Sequence, residues 1–181
     1  MKKAIRHLKT ITHHKILVMT GCFRVGLVSQ GMLHDLSKLL PTEFLVGAKY
    51  YQGVRSPNNA EREEKGYSSS WLHHKGRNKH HYEYWIDYSL SETDGSVKPI
   101  PMPVNYVVEM FMDRVAASKV YEKGNYTDAK PLEYLEKMKC PDLMNPKTYR
   151  QLRVLLAMLA KRGEKETFCY IRNTILKNKI R

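Results

Sequence analysis

A histidine, an aspartate and a lysine lie within five residues of one another, at His34, Asp35 and Lys38. An adjacent imidazole and carboxylate are costly to bury unless something binds them, and a metal ion is a common solution. On a helix, His34 and Asp35 would lie about 100° apart and could both reach one ion, with Lys38 returning to the face of His34. The alternative is a helix end with a solvated carboxylate. The apolar neighbours of the pair are Met32, Leu33, Leu36, Leu39 and Leu40.

The histidines of the chain are concentrated in its first half, and residues 82–181 contain none. Mixed histidine and aspartate sets are typical of Mn, Fe, Co or Zn sites. The absence of a cysteine near any histidine argues against a structural zinc finger and favours an open catalytic site that keeps water in its free positions. The eight histidines are His7, His13, His14, His34, His73, His74, His80 and His81.

A second informative segment runs from Trp71 to Trp85 and holds two histidine doublets. Seven residues separate His73 from His80 and His74 from His81, so each pair would share a face of a continuous helix. Lys75, Arg77 and Lys79 add positive charge that suits an anionic substrate beside a metal. The alternative is a surface platform of stacked aromatic and basic residues that binds nucleic acid.

Asp113 is the third candidate, because it lies among apolar residues on a predicted core-facing helix. Glu109 precedes it by about one turn on the same side. The alternative for Asp113 is an ion pair with Arg114 or with a neighbouring helix.

The composition favours a globular protein with an anionic partner. The formal net charge of +13 fits a nucleotide, a nucleic acid or a phosphorylated metabolite, although the basic residues are dispersed. The scattered cysteines Cys22, Cys140 and Cys169 do not form a disulfide framework, which favours a cytoplasmic protein. No apolar stretch is long enough to span a bilayer, and no signal peptide is recognisable.

Helical periodicity dominates the chain and predicts an all-α, single-domain bundle over residues 1–181. The metal-site core is expected at about residues 13–121, with C-terminal helices at about 131–179 packing on it. Gly53–Ser70 is expected to be a surface loop over the site, and residues 91–103 a second loop. The predicted helices cover residues 4–23, one containing His34 and Asp35 and ending near Leu40, 42–51, both ends of 71–90, 104–121, 131–139, 146–162 and 164–177.

Taken in order, these pieces resemble the HD-domain superfamily of metal-dependent phosphohydrolases. That superfamily has a histidine on a first helix, a His-Asp doublet, often further histidines, and an aspartate on a later helix. Here the order reads His13 or His14, then His34-Asp35, then His74 with His80 or His81, then Asp113. The string WLHHKGRNKHHYEYW, followed by PMP and EMFMDRVAAS, is similar to an uncharacterised bacterial branch. In two respects the chain departs from the best-known members: its later histidines are closer together, and Gly53–Ser70 replaces a short connection.

The resemblance implies a helical bundle in which four residues hold a first divalent ion, which could be Mn, Fe, Co, Ni, Zn or Mg. They are His14 (preferred over His13), His34, Asp35 and Asp113. His74, with His80 or His81, would bind a second ion or the phosphate. Lys38, with Arg77 and Lys79, would offset phosphate charge, Asp35 could accept a proton from water, and Asn78 could orient a ligand or hold the loop.

The leading hypothesis is therefore hydrolysis of a nucleotide or another small anionic phosphate ester. The alternatives are a non-catalytic regulator that binds nucleic acid or nucleotides on the same fold, and a diiron oxygenase of the HD type. The sequence does not identify the oligomeric state.

Overall fold

Eight α-helices carry most of the chain in the computed structural model, which describes residues 1–90, 97–138 and 141–177. The predicted all-α class is therefore confirmed. The helices are α1 (Lys2–Val25), α2 (Val28–Leu33), α3 (Pro41–Tyr50), α4 (Pro57–Lys65), α5 (Ser69–Lys75), α6 (Val104–Glu122), α7 (Lys130–Glu136) and α8 (Pro146–Tyr170). Short 3₁₀ turns cover Leu36–Leu39, Tyr82–Trp85, Lys123–Asn125 and Pro141–Leu143, and a π-helical turn covers Ile171–Ile175.

The packing of α1 against α6 forms the centre of the fold and is its most extensive helix contact. The helix α1 buries one stripe, which contains His7, His14, Val18, Gly21, Cys22 and Val25. In α6 the whole run from Val107 to Met112 is buried, so this helix is covered on nearly all sides. The helices α7 and α8 pack on α6 from the C-terminal part of the chain. Two polar side chains that face each other across this pair, His14 and Asp113, thus sit on well-packed supports.

Gly53–Ser70 is not a loop, which corrects the prediction. It contains α4 and the first residues of α5. Pro57 occupies the first turn of α4 and Gly66 ends it with a φ of 79°. The proline and glycine that suggested a loop are therefore the boundary residues of a short helix.

Buried Glu61 then ties α4 to α5 by accepting hydrogen bonds from the hydroxyls of Ser68, Ser69 and Ser70. The serines that looked loop-like are part of this buried link.

The predicted helix through His34 and Asp35 is also wrong. The helix α2 ends at Leu33, His34 is extended, and Asp35 has a φ of 56°. The segment 71–90 is helical only in α5 and in one 3₁₀ turn.

A two-residue antiparallel pair that the sequence does not predict joins β1 (Ile86–Asp87) to β2 (Lys98–Pro99). Ile86 pairs with Pro99 and Asp87 with Lys98, a ladder too short to produce an alternating pattern. Of the predicted loop at 91–103, residues 91–96 lie outside the described residues, as do residues 139–140 and 178–181 of the C-terminal prediction. Gly163, predicted to stop a helix, does interrupt the helical backbone: its φ of 73° and ψ of 177° divide α8 into two helical segments that meet at a kink. Among the described helices, none has both the length and the apolar character required to cross a membrane.

Gly47 allows α3 to approach α1 closely. A Cβ atom at this position would lie 2.4 Å from Nε2 of His7. The His7 ring is itself buried and packed between the rings of Phe44 and Tyr51, so it has little room to move. By contrast, the Cβ atom missing at Gly21 would meet the flexible end of Met112.

We expect Gly47→Ala to lower the free energy of unfolding by about 2 kcal/mol, because the added methyl group overlaps a fixed ring. Urea denaturation followed by circular dichroism measures the change. Gly124→Ala is the matched control, since its Cβ would meet nothing within 4 Å. This control should change stability by less than about 1 kcal/mol, and in the stabilising direction. Equal effects of the two substitutions would contradict the close approach.

Candidate metal centre

A sharp backbone turn aims His34 and Asp35 into the interior together. His34 and Asp35 are 1% and 4% exposed, whereas Leu33 and Leu36 on either side are 66% and 43% exposed. The turn requires a positive φ at Asp35, a conformation that aspartate tolerates better than most side chains. The Lys15 ammonium fixes the turn by donating to the carbonyl oxygens of Met32 and His34, each at 2.8 Å. The polar pair is thus buried and its apolar neighbours are not.

Four side chains from three parts of the chain form what we call the first cluster: His14, His34, Asp35 and Asp113. Their ligand atoms all lie within 4.8 Å of one another. His14 Nε2 is 2.9 Å from Asp113 Oδ1, and His34 Nε2 is 3.3 Å from Asp35 Oδ2. Two ligands that each lie about 2.1 Å from one ion are themselves separated by roughly 3 to 3.5 Å. The spacing of the first cluster matches that expectation.

The second cluster uses the other oxygen of the same aspartate and consists of Asp35, His74, His80 and His81. Asp35 Oδ1 lies 3.2 Å from His74 Nε2 and 3.4 Å from His80 Nε2. His74 Nε2 and His81 Nε2 are 2.9 Å apart. Asp35 therefore presents one oxygen to each cluster, in the manner of a bridging carboxylate.

Outer carboxylates hold three of these imidazoles by their second nitrogen. Glu109 Oε1 lies 3.0 Å from His34 Nδ1 and 3.1 Å from His80 Nδ1, so it serves both clusters. Glu43 Oε2 lies 2.8 Å from His74 Nδ1. A carboxylate that accepts from Nδ1 leaves Nε2 as the free nitrogen and fixes the ring, which is the usual outer arrangement of histidine ligands. Gln30 Nε2 donates to the remaining oxygen of Glu109 at 2.7 Å.

Within the described part of the chain, several buried polar atoms at this centre make no well-aligned hydrogen bond, although His14 Nε2 contacts Asp113 and Asp35 Oδ2 contacts Lys38 as ion pairs. They are Nε2 of His14, His34 and His80, and both carboxylate oxygens of Asp35. Each unsatisfied buried polar group costs about 1–3 kcal/mol, so such a concentration is unfavourable unless a ligand satisfies the atoms together. Five of the eight such side-chain atoms in the described part of the chain belong to the two clusters. The residues thus fit a divalent cation in both chemistry and spacing, and these buried clusters could hold metal ions.

The carboxylates of the centre remain ionised despite their burial. Burial raises the pKa of Asp35, but the charges of His34, Lys38 and His74 outweigh it and hold the pKa well below its usual range. The pKa of Asp113 is likewise low, because the close contact and the charge of His14 outweigh burial.

The imidazoles divide into two groups. Burial lowers the pKa of His14 and of His81, which favours their neutral, ligating form. For His80, contacts with Asp35 and Glu109 outweigh burial and raise the pKa to about 10, and the pKa of His74 is raised as well. A cation that binds at the second cluster would therefore displace protons.

Lys38 supplies a fixed positive charge at the edge of the first cluster. Its Nζ is 2.5 Å from Asp35 Oδ2. Burial lowers the pKa of this ammonium, but the charges of Asp35 and Asp113 outweigh that effect and raise it. The side chain is still 31% exposed, so the charge can meet a ligand that arrives from solvent.

Most of the predicted site residues come together, and the structure distinguishes between His13 and His14. His14 lies in the first cluster, whereas His13 is exposed on α1. His80 and His81 both lie in the second cluster.

The second cluster does not arise from the predicted helical spacing. The helix α5 ends at Lys75, and a turn then brings His80 and His81 back toward His74. Asn78 holds this turn by donating to the His74 carbonyl oxygen at 2.8 Å and to Ser37 Oγ at 2.9 Å.

Arg77 is not brought to either cluster. It is exposed, and its guanidinium donates to the His73 carbonyl oxygen at 3.4 Å. The residue that the sequence reasoning missed is Glu43, and the role of Glu109 was not recognised. A signal existed for both, because each buried histidine ligand needs an Nδ1 acceptor, and acidic residues on apolar helices are the natural candidates.

In the metal-free protein, we expect the difference in free energy of unfolding between wild type and Glu109→Gln to shrink as the pH is lowered. Burial raises the pKa of Glu109, but hydrogen bonds from His34 and His80 outweigh it and lower the pKa from 4.5 to about 2. Its stabilising contribution, on the order of 3 kcal/mol, is present above pH 4.5 and is lost as the pH falls through about 2.

Urea denaturation in EDTA between pH 6 and pH 2 measures this gap. Glu122 is an exposed carboxylate on the same helix, so the free energy of unfolding of Glu122→Gln should differ from that of wild type by the same amount at every pH. A gap between wild type and Glu109→Gln that does not change with pH would show that Glu109 is not held as a carboxylate.

Comparison with known proteins gives a family but no activity. Residues 3–158 match the model of a family of unknown function, DUF5662. No curated protein and no solved structure matches the chain. Since the match covers most of the sequence and includes every residue of both clusters, the chain belongs to the DUF5662 family.

Proposed function

We propose that this chain is a metal-dependent phosphohydrolase with a two-ion centre that acts on a nucleotide or another small phosphate ester. The observation that carries the proposal is the placement of Asp35, whose two oxygens face two separate groups of ligand atoms. Paired ions bridged in this way are typical of enzymes that displace a group at phosphorus. The order of residues that resembles the HD-domain superfamily supports the same reaction class.

Each part of the centre has a role in that reaction. His14, His34 and Asp113 would hold one divalent ion, His74, His80 and His81 would hold the other, and Asp35 would bridge them. When bound, such ions supply Lewis acidity toward phosphoryl oxygens and lower the pKa of water to near neutrality. Because both Asp35 oxygens face ligand atoms, we assign this residue to holding the ions and not to accepting a proton.

Lys38 would bind and neutralise a phosphoryl oxygen. Its ammonium stays charged, lies beside the first cluster and is partly exposed. Charge that is fixed in place before the reaction stabilises developing negative charge without the cost of reorganisation. Arg77, which points to a backbone carbonyl oxygen instead, has no part in this assignment.

The aromatic residues of segment 71–85 favour an enzyme over a nucleic-acid platform. Trp71 packs against the rings of His74 and His81, with centroids 5.6 Å and 4.7 Å away. Trp85 packs against Tyr106 and donates from its indole to the Lys79 carbonyl oxygen. Trp71 thus packs against the second cluster and Trp85 against its own neighbours in the fold, which leaves fewer faces for stacking with bases.

An iron-dependent oxygenase is the second candidate, favoured by the number of imidazoles. Five histidines and two aspartates make a nitrogen-rich ligand set, which suits iron. Retained iron with a visible absorption band, together with no turnover of phosphate esters, would favour this candidate.

Asp35→Asn should remove most bound metal and reduce turnover of phosphate esters by about 100-fold or more, because one side chain serves both clusters. Elemental analysis after loading with Mn²⁺ measures the metal, and a panel of nucleoside monophosphates and p-nitrophenyl phosphate measures turnover. His13→Ala is the control for metal content, since His13 is adjacent to His14 but outside both clusters. If wild type and Asp35→Asn carry equally little metal and neither hydrolyses any ester, the proposal is wrong.

Glu43→Gln should weaken cation binding at the second cluster more than at the first. Glu43 hydrogen-bonds His74 and touches no ligand of the first cluster, and loss of such an outer carboxylate typically lowers metal affinity by about 10–100-fold. Calorimetric titration of the metal-free protein with Mn²⁺ should show one of two binding steps shifted. Glu64→Gln, an exposed carboxylate that pairs with Tyr50, should leave both steps in place. A shift of both steps to the same extent would contradict the assignment of His74 to a separate site.

A further inference from the structure

A basic cavity of about 400 Å³ lies beside the candidate centre, between α1 and the end of α6. It is formed by helix surfaces and by the segment that follows α3, and no residue of either cluster lines it. The side chains that matter are those of Lys9, Thr10, His13, Tyr51, Lys119 and Lys123.

The charge of this cavity is one-sided. Three lysines line it and no carboxylate does. Lys119 is paired with Glu164, but Lys9 and Lys123 have no acidic partner among the described residues. Like charges that face one cavity repel each other, and a bound anion removes that repulsion.

A phenol hydroxyl and a strained backbone add to the site. Thr10 Oγ1 donates to the Arg6 carbonyl oxygen at 3.0 Å and accepts from the Tyr51 hydroxyl, which lies 2.8 Å away at the cavity wall. The Tyr51 hydroxyl can turn from Thr10 to donate to an oxyanion. Lys123 has a φ of 51° and a ψ of −120° at the end of α6. Together with Asp35 it is one of two non-glycine residues with positive φ in the described part of the chain. Strained residues tend to lie at functional sites, where the surrounding structure holds them.

The position of the cavity relates it to the candidate centre. Thr10 precedes His14 by one turn of α1, a rise of about 6 Å, and Lys119 follows Asp113 by six residues of α6, a rise of about 9 Å. A molecule whose two anionic groups are separated by a distance of this order could occupy both the centre and the cavity.

We infer that this cavity binds a phosphate-type oxyanion. Binding itself does not depend on the reaction at the centre. That the anion is a second phosphate of the substrate, and not a separate ion, rests on the proposed function. In that case the substrate class narrows to compounds with two phosphates, of which one is hydrolysed at the centre and the other is held by Lys9 and Lys123.

The first test is calorimetric titration of the metal-free protein in EDTA with inorganic pyrophosphate at low ionic strength. The double substitution Lys9→Gln and Lys123→Gln should weaken binding by about tenfold, because charge-assisted contacts are lost. The control is Lys98→Gln with Lys147→Gln, which removes the same charge from exposed positions outside the cavity. Unchanged helical circular dichroism verifies that both variants fold.

Weakening in the cavity variant alone supports the inference, whether or not the protein hydrolyses any ester. Equal affinity in both variants, or no binding by wild type, overturns it and leaves the proposed function to be judged by metal content and turnover.

The second test separates the two sources of the anion. With Mn²⁺ bound, kcat/KM is compared for adenosine 3′,5′-bisphosphate and adenosine 5′-monophosphate. If the cavity holds a second phosphate of the substrate, the ratio of kcat/KM for the bisphosphate to that for the monophosphate should fall by about tenfold in the Lys9→Gln, Lys123→Gln variant. Loss of pyrophosphate binding with an unchanged preference would assign the cavity to a separate anion and overturn the two-phosphate substrate.

Discussion

The burial of a single carboxylate, Asp35, sets the requirements that the surrounding structure meets. An ionised group at 4% exposure needs strong compensation, and here imidazoles approach both of its oxygens while an ammonium approaches one of them. That geometry depends on the turn with positive φ at Asp35, because this turn ends α2 and points the side chain between the two clusters. Because the leucines around the turn are exposed, polar contacts and not the burial of apolar side chains set the orientation of the turn.

The scaffold holds the two halves of the centre by different means. His14 and Asp113 are placed by the long helices α1 and α6. These helices pack so closely that a Cβ atom at Gly21 would meet the side chain of Met112. His74, His80 and His81 come from a short helix and a turn, which are less rigid elements by themselves. Glu43 and Asn78 compensate by fixing the His74 ring and the turn after it. The second half thus relies on hydrogen bonds where the first relies on packing.

Much of the fold class and the ligand set was predictable from the sequence, but their geometry was not. Helical periodicity identified α1 and α6, and the clustering of histidines identified residues that do converge. The assumption of a continuous helix failed at His34–Asp35 and between His74 and His81, because periodicity cannot reveal a turn that tertiary contacts stabilise. The supposed loop at 53–70 failed for a different reason: proline and glycine mark helix boundaries as well as loops. Glu43 was missed because the only sequence signal for an outer acceptor is an acidic residue on an apolar helix, which does not say which histidine it would contact.

Glu109 lies between the two groups of ligands and connects them. One of its oxygens meets Nδ1 of His34 and Nδ1 of His80, so the two clusters share a hydrogen-bond acceptor as well as Asp35. Withdrawal of electron density from one ring strengthens its Nδ1–H as a donor, which leaves the shared oxygen a weaker acceptor for the other ring. Cations held at the two clusters would therefore be thermodynamically linked, and by reciprocity each would change the affinity of the other by the same factor.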